Sequence, residues 1–176
     1  MLFKVRMDDE LELALLVPKY VQQNYAIIAA EQDYLNQWLN WPKDTKSYDD
    51  LNKFAVQSIK EFAEGKSMTC AIIYKGAAVG AGGFNSITPS LKKAPIGYWL
   101  GSQFQGKGIM TRVVKFLIQY GFDELGLEKI ETAHALGNEP SQKIIKAAGF
   151  IQEGIIKNAE NLHGKIVDHV VYGICK

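Results

Sequence analysis

Cysteine is scarce in this chain. The two present, Cys70 and Cys175, stand far apart, with no Cys-x-x-Cys pair and no histidine at ligand spacing beside either. That pattern argues against a disulfide framework and against zinc, so both are read as reduced thiols and no metal is expected. His134, His163 and His169 are equally scattered and read as structural residues. Long apolar runs are missing too: no stretch approaches the roughly 18 consecutive apolar residues of a membrane-spanning helix. Met1 to Glu10 mixes Lys4 and Arg6 with Asp8, Asp9 and Glu10 and lacks a secretory pattern, so the expected location is cytoplasmic, with no membrane partner. A dominant charge is also absent, since 20 Lys and Arg face 19 Asp and Glu for a net +1. Such a balance argues against a nucleic-acid backbone as the main partner. What the chain does have is apolar content, 47% of 176 residues. One domain spanning residues 1–176 is expected to bury about two-thirds of its unfolded surface.

Phe3 to Met7 and Leu11 to Val17 alternate around Asp8, Asp9 and Glu10, which predicts a hairpin. Pro18 suits a first helical position, and the following Val21, Tyr25, Ile28, Tyr34, Leu35, Trp38 and Leu39 keep helical spacing with a break around 29–33. Two helical pieces follow. Pro42 ends the pattern and leaves Trp38 and Trp41 flanking a turn, either as a helix end on the core or as the aromatic wall of a cleft. Exposed aromatics there are also candidates for a homodimer contact. Ser47 or Asp49 caps a helix whose apolar face runs through Leu51, Phe54, Ala55, Ser58, Ile59, Phe62 and Ala63, ended by Gly65. Met68 to Tyr74 and Ala77 to Phe84 form a second hairpin, and Ile96 to Leu100 a short strand. A helix from near Gly108, a strand over Lys129 to Ala135, a helix over Ser141 to Ala148 and strands over Ile151 to Lys157 and Lys165 to Ile174 complete the chain. This order predicts a mixed α/β protein with a mostly antiparallel sheet flanked by helices.

Gln103-Phe104-Gln105-Gly106-Lys107-Gly108 lies between a strand and a helix. Free N–H groups at a helix start, the positive end of its dipole and nearby glycines favour a phosphate ligand. Two phosphate motifs fail. Thr111 stands where the dinucleotide fingerprint needs a third glycine, and Gly108 stands where a Walker A loop needs the hydroxyl that binds magnesium. The pattern Gln/Arg-x-x-Gly-x-Gly/Ala is matched by Gln103, Gly106 and Gly108, and Asn138-Glu139-Pro140-Ser141 with Gly149-Phe150 follows as a second motif. In these two linked motifs the chain resembles the GCN5-related N-acetyltransferase superfamily. Trp38-Leu39-Asn40-Trp41-Pro42, Ile96-Gly97-Tyr98-Trp99-Leu100 and Glu153-Gly154 extend the likeness toward the branch of ribosomal-protein N-terminal acetyltransferases that includes RimJ and RimL.

The resemblance implies acetyl-coenzyme A as donor and a protein N-terminus as amine acceptor, with no covalent enzyme intermediate. Polyamines and aminoglycosides stay open as acceptors, for which Asp33, Asp44, Asp49 and Asp50 near the aromatic turn would count; so does a non-catalytic acyl-coenzyme A module. Carried onto this chain, the family pattern puts the pyrophosphate on main-chain amides from Gln105 through Gly106, Lys107 and Gly108 to Ile109. The pantetheine arm then pairs with the strand Tyr98, Trp99 and Leu100 where it diverges from Lys129 to Ala135. Asn138 would contact the same arm, and Arg112, Lys143 or Lys146 the ribose phosphate. Glu160 is the candidate base, because the closer branch has a carboxylate at the matching position. Ser141 is the candidate proton donor, since the tyrosine that many superfamily members carry on this helix is absent here. A backbone N–H near Leu100 would stabilise the oxyanion.

Overall fold

The computed structural model describes residues 3–176; Met1 and Leu2, part of the segment read for a leader, lie outside the described residues. The elements are β1 (Lys4–Arg6), β2 (Leu11–Leu15), α1 (Pro18–Ala30), α2 (Gln32–Leu35), α3 (Tyr48–Ala63), β3 (Met68–Tyr74), β4 (Ala77–Phe84), β5 (Lys93–Leu100), α4 (Ile109–Asp123), β6 (Lys129–Ala135), α5 (Glu139–Ala147), β7 (Ile151–Leu162) and β8 (Lys165–Cys175). They build a mixed α/β fold on one sheet of order β1-β2-β3-β4-β5-β6-β8-β7. Every neighbouring pair is antiparallel except β5 and β6.

Local chemistry accounts for the boundaries. Asp8 Oδ1 accepts the N–H groups of Glu10 and Leu11 at 2.8 and 2.9 Å and turns β1 into β2. Glu31, with φ −125°, separates α1 from α2 where the apolar spacing breaks. Ser47 caps α3 in a reciprocal box with Asp50, which settles the choice between Ser47 and Asp49. Phe54 departs from the expected core face: it is 52% exposed, because α3 packs its Leu51, Ala55 and Ser58 side inward. Strand β7 runs five residues beyond the expected Lys157, to Leu162, since a bulge lets pairing with β8 resume at Glu160. Single 3-10 turns at Pro42–Asp44, Pro89–Leu91 and Ser102–Phe104 carried no periodicity to announce them.

Alternation in β3 sends Cys70 and Ile72 to one face and Ala71 and Ile73 to the other, so the sheet carries a core on both sides. On the first, α4 buries Val113 and Leu117 completely, about 1.5–3 kcal/mol for each side chain. On the second, α1 and α3 bury Val21, Ile28 and Ala55. No helix among the described residues is long and apolar enough to cross a membrane.

The sheet opens between its two parallel strands. Only Lys93, Ala94 and Pro95 of β5 pair with β6, opposite Lys129, Ile130 and Glu131, and Thr132 Oγ1 donates to the Ile96 carbonyl at 3.3 Å just beyond. Past that point β5 stays with β4, from Ile96 opposite Phe84 to Leu100 opposite Gly80, while β6 follows β8. Strand β4 allows this because it is rich in glycine and bulged beside Ile72 and Ile73. A Cβ on Gly80 would strike the Trp99 carbonyl, and one on Gly83 the Met68 carbonyl. The bulge adds twist that carries β4 and β5 together away from β6.

Candidate active site

The gap between β5 and β6 widens into a cleft of about 1550 Å³. The Pro95 carbonyl in β5 and the Gly101 N–H just after it are spent on Asn85 and Val79, on the β4 side. By the alternation of a strand, Tyr98 and Leu100 present their N–H and C=O groups to the open side. That is a free strand edge inside the protein, able to pair with an extended ligand carrying amides.

At the mouth of the gap, Glu31 accepts the Ser102 N–H at 2.8 Å and its hydroxyl at 2.9 Å, and Gln105 Nε2 donates to the Tyr34 hydroxyl. These bonds fix the 3-10 turn that precedes the glycines. Gly106 and Gly108 then take φ +72° and +69°, which glycine adopts without steric cost, and Gly108 starts α4 without a side-chain cap. The N–H groups from Gly106 to Thr111 donate to no acceptor among the described residues. Free amides at a helix N-terminus form an anion site, so the residues present fit a diphosphate. Gln105, Gly106, Gly108 and Ile109 line the cleft; Gln103 and Lys107 do not. Lys107 Nζ rests 5.4 Å from the Phe104 ring and 5.8 Å from that of Tyr74. Arg112 is held by Asp8 at 2.8 Å and Glu10 at 3.5 Å, and Lys146 stays outside the lining. Lys143 is the lysine that faces the cleft among the described residues.

Deeper in the gap, Asn138 Oδ1 caps α5 by accepting the Ser141 N–H at 3.2 Å. The Ser141 hydroxyl lies 3.1 Å from that of Tyr98. Burial pushes the Tyr98 phenol up to about 12, against a smaller opposing effect of the bond to Ser141. Its proton therefore stays in place through the neutral range, and a protonated phenol can donate to Ser141 while the serine keeps its own O–H free. A phenol thus reaches the start of α5 from β5, although α5 itself carries no tyrosine.

Glu160 also lines the cleft. Between Ile156 opposite His169 and Glu160 opposite Val167, three residues of β7 face the single Asp168. Asp168 pins this bulge by accepting from Lys157 Nζ at 2.7 Å and Asn158 N–H at 3.0 Å. Glu160 and His169 thereby become diagonal neighbours on one face, and His169 Nε2 sits 3.0 Å from Glu160 Oε2. Sequence reasoning missed His169, because its partner is set by the bulge and not by spacing. His134 is buried with both ring nitrogens occupied: Nδ1 donates to the Ala135 carbonyl at 2.9 Å, and Nε2 accepts the Tyr172 hydroxyl at 3.1 Å.

The aromatic turn forms a wall of the same cleft. Trp41 meets Trp99 edge-on with centroids 5.9 Å apart, and both Trp38 and Trp41 are half-buried in the lining. The exposed aromatic surface expected there is therefore largely spent inside the monomer. His163, at the tip of the β7–β8 hairpin, donates from Nε2 to the Leu39 carbonyl at 2.9 Å and bridges the hairpin to this turn. Of the four aspartates named near the turn, Asp44 and Asp50 line the cleft, whereas Asp33 and Asp49 do not.

An α/β sheet split between parallel strands, with a free strand edge within and unpaired amides at its mouth, defines an acyl-coenzyme A transferase. The chain belongs to the acetyltransferase (GNAT) domain family, which it matches over residues 11–151. It is 29% identical over 173 residues to the ribosomal-protein-serine acetyltransferase of Escherichia coli, covering 93% of this chain and 97% of that one. Its fold overlays on RimL, the ribosomal L7/L12 alpha-N-protein acetyltransferase in complex with coenzyme A, with a TM-score of 0.95 at 26% identity, over 98% of each chain. The microcin C7 self immunity acetyltransferase MccE, in complex with acetyl-coenzyme A and AMP, gives 0.93 at 31% identity over 98% of this chain and 96% of that one. The protein is an acetyl-coenzyme A-dependent N-acetyltransferase.

Proposed function

We propose that this enzyme acetylates the α-amine of a protein N-terminus, with a cytoplasmic ribosomal protein as acceptor. The observation that carries this reading is how the carboxylates lining the cleft are spent. Glu131 is paired with Lys93 and Lys129, Glu153 with Lys129, Glu160 with His169, Asp50 caps α3, and Glu61 accepts from Gln57 and Ser67. Asp44 alone among them has no partner among the described residues. A polyamine or aminoglycoside, with several ammonium groups, would need several uncommitted carboxylates; a single amine needs one base. The similarity to the E. coli ribosomal-protein-serine acetyltransferase and to RimL agrees.

Coenzyme A, when bound, supplies the acetyl group as an activated thioester. The residues that would hold it are Gly106 to Thr111 and Gln105 at the diphosphate, Tyr98, Trp99, Leu100 and Asn138 along the arm, and Lys143 at a phosphate. Glu160 removes the proton from the acceptor ammonium. For an α-amine of pKa about 8 this costs about 1.4 kcal/mol at pH 7, against about 4.6 kcal/mol for a lysine near 10.4. A carboxylate suffices for the first. Ser141 holds a proton for the leaving sulfur and is kept in orientation by Tyr98, while the Leu100 N–H points into the gap for the developing oxyanion. The test is mass spectrometry of cell proteins incubated with the enzyme and isotope-labelled acetyl-coenzyme A. Label confined to ribosomal-protein N-termini is the expected result; label on lysine side chains or on small polyamines overturns the reading.

A further inference from the structure

The Glu160–His169 pair has a feature that the transfer of an acetyl group does not by itself require. A carboxylate asked only to accept a proton needs no second ionisable side chain, yet the bulge at 157–159 displaces the register by two residues and moves Glu160, along the face it shares with His169, from opposite Lys165 to opposite Val167, the position next to His169 on that face. Both side chains are partly buried, 20% and 25% exposed, and both line the cleft. Nε2 must carry a hydrogen to face a carboxylate oxygen at 3.0 Å, whatever the charge of the ring. Oε2 is thereby occupied, and Oε1 makes no bond to any described residue.

We infer that His169 is a positioning residue for the amine-deprotonation step. Its Nε2–H holds Oε2 of Glu160, fixes the carboxylate rotamer and leaves Oε1 toward the acceptor amine. Ile156 on β7 and Val171 on β8 flank the imidazole on the same face and limit its movement, and Asp168, on the opposite face, anchors the bulge from behind through Lys157 and Asn158. The proton moves from the acceptor nitrogen to Glu160 as the nitrogen lone pair becomes free, and His169 neither gains nor loses one. This role rests on the reading of Glu160 as the base.

The experiment is a double-mutant cycle on the full chain, with Glu160→Gln, His169→Asn, His169→Gln and both Glu160→Gln combinations. Glutamine extends its amide nitrogen about as far as Nε2 and keeps a donor for Glu160, whereas asparagine is too short. His169→Asn is expected to lower kcat about tenfold to hundredfold, with the KM for acetyl-coenzyme A and the calorimetric affinity for coenzyme A unchanged. His169→Gln is expected to recover most of that loss. In the Glu160→Gln background, His169→Asn is expected to change kcat by less than about twofold, because its effect passes through the carboxylate. Histidine ring 15N spectra provide a readout apart from turnover: the His169 Nε2 resonance should shift in Glu160→Gln while those of His134 and His163 stay. Equal losses from His169→Asn in both backgrounds, or no loss in either while Glu160→Gln is impaired, overturn the positioning role and leave Glu160 as base. Full activity of Glu160→Gln overturns both.

Discussion

Gly108 offers a quantitative test of the amide site at the start of α4. Its φ of +69° lies in the left-handed region, and a Cβ built there meets nothing within 4 Å. Alanine at this position is strained by about 1–2 kcal/mol without any steric clash. Gly126, in the turn between α4 and β6, has φ +64° and the same empty surroundings but does not line the cleft. The two substitutions therefore share their backbone cost, and each should lower Tm by about 2–8 °C in a chain of this size. Only Gly108→Ala strains the backbone that presents the free N–H groups at the start of α4, so relief of that strain turns the first of them away from a bound diphosphate. Loss of one charge-assisted hydrogen bond is worth about 1.5–3 kcal/mol, or about tenfold to a hundredfold in affinity. Titration calorimetry with coenzyme A should show that loss for Gly108→Ala and wild-type affinity for Gly126→Ala, with matched thermal shifts. Equal coenzyme A affinity in the two variants would refute the assignment of the amides.

Two further expectations concern protons. Tyr98→Phe should lower kcat about tenfold without changing the KM for acetyl-coenzyme A, and should add nothing to Ser141→Ala in steady-state kinetics, because the phenol acts through the serine. Asp8 is held below its usual 3.8 chiefly by the Glu10 N–H, then by the Leu11 N–H and Arg112, which outweigh partial desolvation. A depressed carboxylate stabilises the fold above its unfolded value and loses that contribution as pH falls through the folded one. Thermal unfolding of the wild type and Asp8→Asn should accordingly differ at pH 6, with the wild type the more stable, and converge as pH drops from about 4 to about 2.

The fold was legible where periodicity and punctuation coincide. Strands β3, β4 and β6 have the bounds that alternation predicts, and Pro18 and Gly108 stand where α1 and α4 begin. Paired strands separated by Lys75-Gly76 need no long-range information. The 157–159 bulge was not legible, because its only local mark is Asn158 at φ +50°, a conformation asparagine tolerates but does not advertise. With the bulge went the extension of β7 and the meeting of Glu160 with His169. The partners of Arg112 were hidden for a related reason: the hairpin residues Asp8 and Glu10, a hundred positions earlier, meet it only once the chain has folded. Ser141 was visible as a helix-start residue, whereas its contact with Tyr98 depends on β5 and α5 meeting across the gap.

The account depends most on the open edge of β5 receiving the coenzyme. Amide hydrogen exchange, measured residue by residue with and without coenzyme A, reads that edge directly. Slowed exchange at Tyr98 and Leu100 together with Gly106 to Thr111, and unchanged exchange at Gly126, is the predicted result. Protection that spares Tyr98 and Leu100 while coenzyme A is bound would contradict it.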